Sequence, residues 1–187
     1  MNAFKSNIFK YLNGTCNYII PLYQRPYSWT NEQCARLWSD IIALHTNKKE
    51  GHFVGSIVRI DELAPGGTTR AMIIDGQQRL TTLTLILVAL RDYAEKNPDC
   101  GVNAAKITNT HLVNQYESGQ DKYKLLLTQT DKDALTKKIE GAPIPDAMKS
   151  RVLTNYTYFA GQLNKQEIQP SELYEAIGKL QKFALYA

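Results

Sequence analysis

Ala71-Met72-Ile73-Ile74-Asp75-Gly76-Gln77-Gln78-Arg79-Leu80-Thr81-Thr82 is the stretch on which the fold turns. Its first four residues form an extended apolar run, and from Leu80 to Leu90 the chain is apolar nearly all round. A continuous apolar face of that length predicts a helix buried on most sides, the central helix of a domain. A strand that ends in Asp75-Gly76 and passes directly into a helix leaves backbone N–H groups free at the turn. Those groups and the helix dipole favour an anion there. Arg79 falls in the first turn and can fork two N–H donors onto phosphate or carboxylate. Asp75 adds a carboxylate suited to a metal ion or a water.

A local explanation competes with this one. Asp75 as N-cap, with Gln78 closing a capping box, accounts for the pattern without any ligand. Arg79 then only pairs with a surface carboxylate. The functional reading gains from Gln77 and Gln78, which add hydrogen-bonding groups to the turn. It gains also from Gln24-Arg25-Pro26-Tyr27, a second unusual cluster after another strand, whose Arg25 is expected at the same end of the sheet.

Outward from this centre, Tyr18 to Tyr23 reads as a short edge strand, with Pro21 excluding a central position. Thr30-Asn31-Glu32-Gln33 fits a capping box. Cys34, Leu37, Trp38, Ile41 and Ile42 then share one helical face, which makes Cys34 a small buried hydrophobe. His52 to Ile60 and Thr68 to Ile74 are β-rich and flank the turn signal Pro65-Gly66-Gly67, so they read as a hairpin or as adjacent strands. Gly55 marks a close approach of backbone to a ligand, a bulge or tight packing. Asn97-Pro98 stops the central helix.

Beyond residue 100 the pattern turns helical. Ala104 to Tyr116 is a weak helix, Tyr123 to Leu127 a short strand, and Asp131 caps a helix that runs to Ile139. Val152, Tyr156, Phe159 and Leu163 share the face of a longer helix, and Pro170-Ser171 opens another. The division expected is an α/β core at 1–100 and a helical extension at 101–187. The apolar end Phe183 to Ala187 looks like the start of an element, as if the piece were cut from a longer protein.

With 187 residues and 43% apolar content, the chain can bury a core without disulfide or metal. A net charge of +4 permits an anionic partner without requiring one. Cys16, Cys34 and Cys100 are odd in number and widely spaced, against a disulfide framework or a zinc knuckle. Met1 to Gly14 has no secretory apolar core, and Leu80 to Leu90 is half a membrane span. The reading is a reducing, cytoplasmic protein with no membrane partner. His45, His52 and His111 have no neighbours at metal-ligand spacing. No nucleophile elbow and no Gly-x-x-x-x-Gly-Lys loop is present.

Three blocks carry a family resemblance: Ile20-Pro21-Leu22-Tyr23-Gln24-Arg25-Pro26-Tyr27-Ser28-Trp29, Phe53-Val54-Gly55-Ser56-Ile57, and Ile74 through Thr82. They resemble, in order, spacing and wording, the signature blocks of the N-terminal domain of GmrSD-type restriction endonucleases. Weaker similarity, including Ser150-Arg151 and Asn155 to Phe159, extends into the helical half. The resemblance implies an α+β fold of the ParB/sulfiredoxin kind, a small mixed sheet with a buried central helix followed by a helical subdomain. It implies nucleoside triphosphate binding and hydrolysis that regulates cleavage of foreign, modified phage DNA.

Asp75, Gly76, Gln77, Gln78 and Arg79 match the family's Asp-Gly-Gln-Gln-Arg motif, and Gln24-Arg25 its Gln-Arg motif. On that basis Asp75, Arg79, Gln24 and Arg25 are expected to be catalytic. Arg79 and Arg25 would neutralise charge, Gln24 or Gln77 would place the attacking water, and Asp75 would orient water or hold Mg²⁺. Gly76, Gln77, Gln78, Gly55 and Ser56 are expected to line the nucleotide, with Tyr27 stacking its base, Trp29 being the other aromatic beside Arg25. The expected partners are DNA, a His-Asn-His-type nuclease domain in the same or another chain, and a second copy in a homo-oligomer. DNA cleavage by this piece is not expected. A DNA-binding or nuclease-docking module without hydrolysis is the alternative.

Overall fold

The computed structural model describes residues 2–63 and 69–186. Its centre is a mixed six-stranded sheet in the order β1-β6-β3-β4-β2-β5. The strands are β1 (Asn2–Asn7), β2 (Asn17–Ile19), β3 (His52–Leu63), β4 (Thr69–Asp75), β5 (Leu125–Leu126) and β6 (Leu180–Tyr186). Among the described residues seven α-helices accompany them: α1 (Ile8–Leu12), α2 (Asn31–Thr46), α3 (Gln77–Lys96), α4 (Ala104–Ile107), α5 (Gln129–Glu140), α6 (Arg151–Asn164) and α7 (Pro170–Gly178). The α+β class expected from the sequence is what forms.

β3 and β4 are the antiparallel pair expected, while the turn signal at Pro65-Gly66-Gly67 lies outside the described residues. α2 begins where the capping box places it, the Thr30 N–H donating to Gln33 Oε1 at 2.8 Å. α3 is buried along most of its length, and Leu80, Leu85, Ile86, Leu87, Val88 and Leu90 are wholly enclosed. It packs on α6, α4 and the segment that follows α4. Each enclosed aliphatic side chain contributes about 1.5–3 kcal/mol of transfer free energy, so this one helix organises the core.

The structure departs from the sequence reading in several places. β2 ends at Ile19, ahead of Pro21, and pairs on both sides, parallel to β4 and to β5. It is interior, and the edge belongs to β5. Pro21 only terminates the strand, because the residue without an N–H already lies outside the ladder. The weak helix at 104–116 is shorter: α4 passes into one π-helical turn over Thr108–Leu112. α5 is capped at Thr128 and not at Asp131, whose carboxylate serves another segment.

The apolar C-terminal run is a strand. β6 lies between β1 and β3, antiparallel to the first and parallel to the second. Two strands of the sheet, β5 and β6, therefore come from residues 101–187, and the sheet draws on both halves of the chain.

Candidate functional site

The junction of β4 with α3 is built around two glycines. Gly76 is the N-cap of α3 in the left-handed region, at φ 88°. A Cβ there would stand 2.7 Å from the Ser56 carbonyl oxygen, so the turn reaches β3 only because residue 76 has no side chain. Gly55 lies in an irregular stretch of β3 where the register with β6 shifts between Phe53 and Ser56, and its φ is 100°. A Cβ on Gly55 would fall 2.6 Å from Arg79 Nη1. The guanidinium of Arg79 thus rests directly against the backbone of β3. The irregular register and the tight packing that the sequence allows at Gly55 are both present, and the group packed there is Arg79.

No side chain caps the N-terminus of α3. Asp75 is exposed and is not the cap, which removes the capping-box explanation of the motif. Gln78 does not reach back to Asp75. Its Oε1 accepts from the Ser28 N–H at 2.8 Å and its Nε2 donates to the Pro26 carbonyl at 3.2 Å. Gln77 Nε2 donates to the Arg25 carbonyl at 3.3 Å, and Gln24 Nε2 to the Ile74 carbonyl at 3.0 Å. The glutamines of both motifs therefore tie the 24–28 segment to the start of α3. Buried backbone groups of a loop need such partners, and amides, donor and acceptor at once, supply them without adding charge. Gln77 Oε1 is buried and, among the described residues, has no hydrogen-bond partner.

Arg79 is half-buried and, among the described residues, pairs with no carboxylate. It lines an open groove of about 410 Å³ between α2 and the start of β3, together with Trp29, Leu37, Asp40, His52 and Phe53. Arg25 is exposed and lines a different depression with Gln77, Gln78 and Asp131, of only about 10 Å³. The two arginines expected to converge on one anion thus face different hollows, because the glutamine amides fill the space between the 24–28 segment and α3.

Tyr27 is corrected as well. It is 7% exposed, and its hydroxyl donates to Thr82 Oγ1 at 2.7 Å and accepts from Asn155 Nδ2 at 2.9 Å. Burial also pushes its phenol above the ordinary range. Its ring is a core element and is not offered to a base. Trp29, half-buried in the groove wall, is the aromatic that remains available.

Three residues of the second half hold this loop and were not assigned that role from local pattern. Asp131 Oδ2 accepts from the Tyr27 N–H at 2.9 Å, and Ser150 Oγ donates to Asp131 Oδ1 at 2.6 Å. Asn155 Nδ2 also donates to the Trp29 carbonyl at 2.9 Å. The weak similarity around Ser150 and Asn155 was the only signal, since periodicity marks faces and not long-range hydrogen bonds. Groups of three or more His, Cys, Asp or Glu fit to hold a metal do not occur among the described residues. No helix among them is long and apolar enough to cross a membrane.

With this geometry in place, comparison with known families gives a match. The GmrSD restriction endonuclease N-terminal domain matches residues 6–186, nearly the whole chain. None of the curated proteins matches.

Proposed function

Because the chain belongs to the family of GmrSD restriction endonuclease N-terminal domains, we propose that it binds and hydrolyses a nucleoside triphosphate to regulate a restriction protein acting on modified phage DNA. The polyphosphate would lie on the uncapped N-terminus of α3. The observation that carries this is Arg79: a guanidinium that, among the described residues, has no carboxylate partner, held against Gly55 at a helix N-terminus that no side chain caps. A cation left unpaired at a helix N-terminus is poised for an anion, and such a group stabilises the charge that develops in phosphoryl transfer.

The other roles follow from position. Asp75, exposed at the end of β4, orients the attacking water. It is also the residue that would hold Mg²⁺, a single carboxylate sufficing where phosphate oxygens complete the shell. When bound, the metal would supply further neutralisation of phosphate charge. Gln24, anchored through Nε2 on the carbonyl of Ile74, the residue before Asp75, is the second group that would place the attacking water. Gln77 and Gln78 hold the neighbouring loop that carries the exposed Arg25. DNA and a nuclease domain in the same or another chain are the partners that the family context supplies to this reading.

The test is release of inorganic phosphate from ATP, GTP, CTP and UTP by wild type, Asp75→Ala and Arg79→Ala. Equal turnover by all three folded proteins discards the assignment. Absence of turnover, with no rise in melting temperature on adding any of the four, leaves the DNA-binding or docking module in its place.

A further inference from the structure

A bound triphosphate needs a seat for its base and ribose, and the molecule offers unequal choices. The depression beside Arg25 and Gln77 measures about 10 Å³, room for a single water at most. The groove between α2 and β3 measures about 410 Å³, within the range of small-molecule sites, and Arg79 is part of its wall. The hollow beside Leu22, Tyr23 and Arg70 is of similar size but does not include Arg79. The geometry points to the α2–β3 groove as the binding site for the base and ribose of the nucleotide, with Trp29 the stacking surface and Asp40 the group that reads the base edge. This rests on Arg79 as the phosphate ligand.

The groove has the chemistry such a ligand requires. Trp29 gives a π-face, Leu37 a buried apolar surface and Phe53 a second ring, 49% exposed. Asp40 is an acceptor-only carboxylate, 3.6 Å from His52 Nε2, and both side chains remain partly open to solvent. A carboxylate set between aromatic walls selects an aromatic ring whose edge carries N–H donors. Trp29 holds its place because its carbonyl is fixed by Asn155, on α6, and its neighbour Ser28 by Gln78, on α3. The amides that close the Arg25 depression thus pre-organise the wall of the groove.

The experiment compares inorganic triphosphate with the four nucleoside triphosphates, by calorimetry and by tryptophan emission. The chain has two tryptophans, and Trp38 is buried, so quenching by a stacked base reports on Trp29. Wild type is expected to bind the best nucleotide at least tenfold more tightly than inorganic triphosphate, with quenching by the nucleotide only. Trp29→Ala is expected to lower nucleotide affinity by roughly tenfold or more, the usual worth of one base on one ring, and to leave inorganic triphosphate unchanged. Asp40 is exposed, so Asp40→Asn folds. It should reorder the affinities of the four bases while inorganic triphosphate stays constant. Equal affinity for nucleotides and inorganic triphosphate, unmoved by either variant and without quenching, overturns the groove and leaves the phosphate site standing. Failure of inorganic triphosphate to bind at all, while Arg79→Ala changes nothing, overturns the phosphate site and the groove with it.

Discussion

Two arginines stand on α3, one in its first turn and one toward its end. Arg91 is 4% exposed and fully engaged: Nη1 donates to the Ile139 carbonyl and Nη2 to the Lys138 carbonyl, both at 2.9 Å, and Nε to Asp92. It satisfies the last carbonyls of α5, which have no partner within their own helix. Arg79 has the same side chain and, among the described residues, no such bonds; it rests on bare glycine backbone beside a groove. One arginine is spent on the fold and the other is held in reserve. Burial and partner count, not residue type, separate the two roles.

The comparison breaks most visibly at Arg91. Arg91→Ala takes the donor from the buried Ile139 carbonyl and the cation from beside Asp92, although Asp92 keeps the Tyr156 hydroxyl and the Lys138 carbonyl keeps the Gly141 N–H, and it is expected to cost about 2–3 kcal/mol. Urea denaturation measures it. A loss below about 1 kcal/mol would mean that water replaces the guanidinium and that Arg91 is no structural counterpart. Arg79→Ala should do the reverse. Stability should stay within about 0.5 kcal/mol, because no bonded partner is left behind. Nucleotide turnover should fall by roughly 10²-fold or more, about 2.7 kcal/mol of barrier. A folded-state loss as large as that of Arg91→Ala would show that Arg79, like Arg91, is a structural residue.

The same contrast explains what was legible in the chain. The β-to-α junction at Asp75-Gly76, the capping box of α2, the pairing of β3 with β4 and the buried run of α3 are local patterns, and each forms as read. Arg79 could be picked out because a cation in a first helical turn has a simple physical meaning. Tyr27 could not be placed, since a tyrosine beside proline looks alike whether its ring meets solvent or the core. Its burial depends on Asp131 and Asn155, more than a hundred residues away in sequence. The interior position of β2 and the strand at β6 were hidden for the same reason: both are fixed by partners distant along the chain.

His111 sharpens the structural side of the comparison. It lies in the π-helical turn that begins at Thr108, next to Arg91, stacked on Phe9 with Nε2 2.9 Å from the Tyr174 hydroxyl. Burial, then the charges of Lys124 and Lys106, push its pKa down to about 4. The unfolded chain protonates this ring near its ordinary value while the folded chain resists. The contribution of His111 is therefore complete above about pH 6.5, falls as pH drops, and is exhausted near pH 4, a change of roughly 2–3 kcal/mol. Denaturation of wild type and His111→Gln between pH 7 and 4.5 should show the steeper decline in wild type. Parallel curves would mean that the ring takes up its proton without leaving its site.

The finest test lies in the two glycines on the Arg79 side. Both have positive φ, so alanine strains either by about 1–2 kcal/mol. They differ in what the new methyl meets. At Gly76 it meets the Ser56 carbonyl, main chain that cannot move without opening the contact between β3 and α3. At Gly55 it meets the free end of Arg79, which can swing aside. Gly76→Ala should therefore lose more stability than strain alone costs, whereas Gly55→Ala should lose no more than the strain and yet displace the guanidinium. The expected signature of Gly55→Ala is a folded protein whose affinity for inorganic triphosphate falls toward that of Arg79→Ala. Since the methyl acts only through Arg79, adding Gly55→Ala to Arg79→Ala should cost no further affinity. Additive losses would show that Gly55 meets the phosphate by itself and that Arg79 is not the intermediary.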